Sequence, residues 1–181
     1  LTTAVSITVA PEGKALNLFD LTAESLAIFG TVFITLVPFY HGASLHMLRT
    51  YRNNSKKRKK GETLVDFFAL ALEAVIFYAM AKSVTQLRSF VIWFGALLIL
   101  DISWIGFTYF KSQTEVGQAP KWWAVLNGGM ILVLLLLWDP ARTGETQVYA
   151  ILFATALIRT FVDYWKCYNF YFPREEMKPT S

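Results

Sequence analysis

Hydrophobic and polar positions along this chain fall into long apolar runs separated by short polar links. Five runs have the length and apolarity to cross a hydrocarbon layer of about 30 Å, which takes roughly 17–25 helical residues. They cover about 21–48, 65–81, 89–110, 122–138 and 146–165. The first carries no charge between Glu24 and His41, and the fourth carries none at all. The second is the weakest, because its apolar stretch is short and Glu73 sits at its middle. The pattern therefore predicts an all-α fold, a polytopic transmembrane helix bundle of about five spanning helices filling 21–172.

Residues 1–20 read as a short extramembrane segment. Val5, Ile7 and Val9 alternate with polar neighbours like a strand, Pro11-Glu12-Gly13 reads as a turn, and Asp20 or Thr22 suits the N-cap of the first span. Residues 173–181 read as a frayed polar tail, and Asp139–Glu145 as a turn-rich loop with Pro140 and Gly144. Composition agrees with a membrane protein: 55% hydrophobic, 16% aromatic and 17% charged, with a mean hydropathy of +0.41. Soluble domains carry more charge.

Charge placement gives an orientation. The link at 49–61 holds Arg49, Arg52, Lys56, Lys57, Arg58, Lys59 and Lys60 and no acid. With that link inside, twelve Lys and Arg lie on the inner side and four (Lys14, Lys82, Arg88, Arg142) on the outer, with Arg159 within a span. By the positive-inside rule this puts the N-terminus outside and the C-terminus inside. Trp122, Trp123, Trp138, Trp165, Tyr168 and Tyr171 fall near span ends, as an aromatic belt does. The same seven basic residues are candidate contacts for anionic headgroups at the cytoplasmic face, or for an acidic cytoplasmic protein. Nucleic acid is not expected, since the run lacks interleaved aromatics beyond Tyr51.

Charge inside a span costs about 2.5–3.5 kcal/mol at a helix centre, so each such residue needs a partner or a purpose. Glu73, Asp101, Arg159 and Asp163 are the candidates. Arg159 and Asp163 are one helical turn apart and suit a neutralising ion pair, leaving Glu73 and Asp101 for hydrogen bonding, cation attraction or proton transfer. Asp66, Ala69 and Glu73 mark one face of the second helix. His41 and His46, five apart, diverge around a helix and suit interfacial positions or a pH response more than shared metal ligation. Asn127 can bond across helices, with Gly128 and Gly129 allowing close packing, and the run from Leu132 to Leu137 should face lipid. No cofactor and no metal site is expected: Cys167 is the lone cysteine, and no phosphate loop, HExxH or GxSxG motif is present.

A chain this small has little bundle in which to hide those charges. The sequence therefore favours a non-enzymatic, homo-oligomeric integral membrane subunit (a channel, sensor or anchor) working with a cytoplasmic partner, as in bacterial stress or defence systems of the inner membrane. Two other classes stay open: a small cation- or proton-coupled transporter using the intramembrane acids, and a lipid-modifying membrane enzyme.

Overall fold

A computed structural model describes residues 22–54, 60–112, 119–143 and 145–173. Every element among them is helical: α1 (Ala23–Asn54), α2 (Lys60–Lys82), α3 (Leu87–Ser112), α4 (Ala119–Leu136), α5 (Trp138–Thr143), α6 (Thr146–Lys166) and α7 (Tyr168–Tyr171). The strand and turn expected at 5–13, the basic residues Lys56, Lys57, Arg58 and Lys59, and the tail beyond 173 lie outside the described residues. So do the side chains of Arg52 and Lys60.

Thr22 caps α1, its Oγ1 accepting the Ser25 backbone N–H at 3.2 Å. The helix then runs through Pro38 and on to Asn54, and α2 begins at Lys60. The two ends of the link expected as a loop over 49–61 are therefore helical, 49–54 in α1 and 60–61 in α2. A second correction concerns Asp139–Glu145, which folds largely as α5, with Asp139 in its first turn. Pro140 suits that turn because the first N–H groups of a helix have no intrahelical acceptor.

Four helices are long and apolar enough to cross a membrane: Ala23–Arg49, Thr63–Lys82, Leu87–Thr108 and Thr146–Lys166. The remaining run, Lys121–Leu136, is shorter. At about 1.5 Å per residue it extends roughly 24 Å.

Neighbouring helices close into a ring, α1 against α2, α2 against α3, α3 against α4, α4 against α6, and α6 back against α1. Pairwise contacts give the directions. Asp101 meets Asn127, while Gly95 lies near Leu134, so α3 and α4 are antiparallel. Asn127 meets Arg159 and Trp123 meets Asp163, so α4 and α6 are antiparallel too. Gly30 lies against Phe153, Thr160 bonds the Ile34 carbonyl and His41 meets Tyr164, so α1 and α6 run side by side in one direction. Gly30 makes that approach possible, because a Cβ there would stand 2.6 Å from the Phe153 ring.

The ring interior has two halves. Toward the N-terminus of α1 it is a dry core of Ile28, Met80, Phe90, Phe94, Leu97, Leu98, Val148 and Leu152. Toward the basic end it is polar. Outward faces are apolar, with Phe67, Phe68, Val75, Leu136 and Phe161 exposed, the reverse of a water-facing surface and suited to lipid. The Leu132–Leu137 run is split: Leu132, Leu135 and Leu136 face outward, whereas Leu134 and Leu137 enter the core.

Candidate functional site

Asp66, Ala69 and Glu73 share the inward face of α2, all buried. From α3, Asp101 projects to the same interior; from α4, Asn127; from α6, Arg159 and Asp163, which are both on that helix's buried face. Three carboxyls and a guanidinium (Glu73, Asp101, Asp163 and Arg159) line one cavity of about 40 Å³, walled also by Phe39, Trp104, Trp123 and Tyr171. At roughly 10–15 Å³ for each water centre, that space holds about three waters.

Arg159 and Asp163, one turn apart on α6, attract each other electrostatically, and their side-chain hydrogen bonds run to other partners. Arg159 donates from Nε and one Nη to Asn127 Oδ1, at 3.1 and 2.6 Å, and its guanidinium lies 5.0 Å from the Phe39 ring centre. Asn127 Nδ2 in turn donates to Asp101. The neutral amide thus bridges a buried acid and a buried base, accepting from one and donating to the other. Asp163 accepts from Trp123 Nε1 at 2.9 Å and from the Tyr171 hydroxyl at 2.9 Å. Glu73 Oε1 and Arg159 Nη1, both buried on residues that line the cavity, make no hydrogen bond.

The basic end of the cavity is closed by the chain after the last span. There α7 turns back so that Tyr171, 3% exposed, enters the bundle. Gly42 of α1 leaves room for it, since a Cβ there would meet Trp123 at 3.3 Å and the Tyr171 hydroxyl at 3.5 Å. His41 covers the same cap, its Nδ1 3.2 Å from the Tyr164 hydroxyl and its ring 4.8 Å from Tyr171. Arg49, a candidate for lipid or partner contact, packs over the Phe170 ring at 4.2 Å and donates to the Phe170 carbonyl. Burial first, and Asp163 second, push the Cys167 thiol up to about 12 and raise the Tyr171 phenol as well. Both groups stay neutral donors at physiological pH.

His46 also lines the cavity, away from the cap, with its ring edge-on to Trp104 at 5.4 Å. The Trp104 indole N–H donates to Asp66 at 3.0 Å, and the Tyr51 hydroxyl donates to the same carboxylate at 3.1 Å. Gly128 and Gly129 are not required by packing, since a Cβ at either meets nothing within 4 Å. Trp104, Trp123 and Tyr171 are the site residues that sequence reasoning missed. Trp123 and Tyr171 looked like members of an interfacial belt, and nothing in their spacing tells a belt aromatic from one that turns inward to a carboxylate.

Among the described residues, no three His, Cys, Asp or Glu side chains are placed to share a metal ion. The arrangement can exchange protons among carboxyls through a few waters, or hold a small cation against carboxylates. The chain matches no protein-family model, no curated protein and no solved structure at a significant level of similarity.

Proposed function

We propose that this chain is a five-crossing membrane protein, N-terminus outside and basic end cytoplasmic, and that it works as a small cation- or proton-coupled transporter with the polar cavity as its coupling site. The observation that carries this reading is the gathering of Glu73, Asp101, Asp163 and Arg159 around one cavity inside a single protomer. Three carboxyls face one guanidinium there, so neutrality asks for protons or a cation, and intramembrane acids of this kind mark ion and proton pathways. The fifth crossing is supported by direction. Since α3 and α6 run the same way, the chain between them returns through α4 and α5, and modest thinning or tilting accommodates a short helix.

The charges that favoured an oligomeric subunit are enclosed by one copy of the chain, so hiding them gives no reason to require a second. Proton movement into proteoliposomes, read by an enclosed pH dye, tests the proposal. Gradients of sodium, potassium and methylammonium are imposed one at a time. At least one gradient should drive protein-dependent proton movement that Asp101→Asn and Glu73→Gln abolish. No movement under any gradient would sink the reading.

A further inference from the structure

We infer that the cavity binds a primary ammonium group, which makes small amines, or an amine-bearing lipid headgroup, the cation class of the transporter proposed above. This rests on that reading for its transport role, but the site itself follows from five features of the cavity.

Its charge favours a cation, with three carboxyls against one guanidinium and the His46 imidazole. Two of the guanidinium nitrogens are held by Asn127 and the Phe39 ring lies against the group, which leaves Nη1 alone for a water in the cavity. Open acceptor capacity exists at Glu73 Oε1, which belongs to a side chain 5% exposed, lines the cavity and makes no hydrogen bond. A buried carboxylate oxygen without a partner is costly, and a donor-only ligand removes that cost. Size then narrows the choice, because about 40 Å³ takes a few water-sized centres. A methylammonium ion, with two heavy atoms, fits; a tetramethylammonium does not.

Ligand geometry narrows it further. Hard metal ions want six or more oxygens, and among the described residues no three acidic, histidine or cysteine side chains converge on one point. An ammonium needs fewer acceptors and is stabilised by aromatic rings, which Trp104, Trp123 and Tyr171 supply around the cavity.

The ammonium has two possible sources, free amine and lipid. A lipid route exists beside the cavity: an apolar groove of about 610 Å³ runs along α2 and α3 from Leu64 to Val75 and is open to the hydrocarbon. Trp104 lines both groove and cavity, so that indole is the partition between them. Ala43 and Ala69, packed with it, are small.

The test is equilibrium binding of radiolabelled methylammonium to the full chain in nanodiscs, one set of phosphatidylglycerol alone and one containing phosphatidylethanolamine. Saturable binding is expected in the first set, displaced by ammonium and not by tetramethylammonium. Glu73→Gln should weaken it by about two orders of magnitude, the effect of deleting the charge partner of a buried ion, whereas Glu24→Gln, at the opposite end of α1, should not change it. Should Glu73→Gln fail to fold, Glu73→Asp keeps the charge and should bind more weakly than the native chain, and the ammonium against tetramethylammonium contrast needs no variant. Methylammonium binding that vanishes in the phosphatidylethanolamine discs assigns the site to a lipid headgroup; binding equal in both assigns it to a free amine. No saturable binding in phosphatidylglycerol, displacement by tetramethylammonium, or a Glu73→Gln variant that binds like the native chain overturns the inference. Proton movement driven by sodium or potassium without methylammonium binding would overturn it and leave the transport reading intact. Methylammonium binding without any proton movement would do the opposite.

Discussion

Replacing Asn127 by alanine removes the amide that joins Asp101 to Arg159. Asn127 is fully buried, donates one bond to Asp101 and accepts two from Arg159. Hydrogen bonds between membrane helices contribute on average about 0.6 kcal/mol and at most about 1.7. Three bonds therefore place the loss at about 2–5 kcal/mol. Asn127→Asp keeps an acceptor for Arg159 but sets two carboxylates against each other, and should also destabilise. The comparison variant is Ser103→Ala: that exposed hydroxyl bonds only the Ile99 carbonyl of its own helix, so its loss should stay within about 0.5 kcal/mol. Reversible unfolding in mixed micelles, followed by tryptophan fluorescence, gives both values. An Asn127→Ala change within about 0.5 kcal/mol of the native chain would refute the bridge, and with it the claim that the four charged groups form one linked site.

Gly30→Ala should cost about 1–3 kcal/mol by forcing the Phe153 ring away from α1, and the same unfolding assay reads it. Tyr171→Phe removes the hydroxyl that donates to Asp163; it should lower stability by up to about 1.7 kcal/mol and raise the protease sensitivity of the segment from Tyr168 onward. Cys167 should resist maleimide near pH 8 in the folded protein and react once unfolded, because burial pushes its thiol up to about 12 from an ordinary value of 9.0. The folded chain keeps that proton where the unfolded chain releases it, so this group's contribution is complete below about pH 9 and declines as pH rises toward about 12. Rapid labelling of the folded protein at pH 8 would contradict the burial of α7.

Helix positions were legible because bilayer-spanning helices are long apolar runs, and a run over 89–110 leaves little other choice. Inward faces were legible where charge marked them: Asp66, Ala69 and Glu73 carry the helical spacing, and all are buried. Partners were not legible. The spacing of Arg159 and Asp163 fits a direct pair, but each finds better geometry with a side chain from another helix, and spacing within one helix says nothing about its neighbours. Glycines misled for the same reason. Gly128-Gly129 stands out as a pair, yet a Cβ at either would meet nothing within 4 Å, while the isolated Gly30 and Gly42 sit where α1 meets Phe153, Trp123 and Tyr171. The return of the chain at α7 was hidden because Tyr168–Tyr171 has the composition of an interfacial belt.

In the proposed transporter, the carboxyls of one protomer line a cavity that takes up and releases protons or a small cation. Infrared spectroscopy of the protein in lipid, titrated from about pH 5 to about pH 9, measures the protonated carboxyl band directly. The band should change with pH and on addition of methylammonium, and Glu73→Gln and Asp101→Asn should each diminish it. A carboxyl band indifferent to pH and to methylammonium, or unchanged in both variants, would contradict that uptake and release.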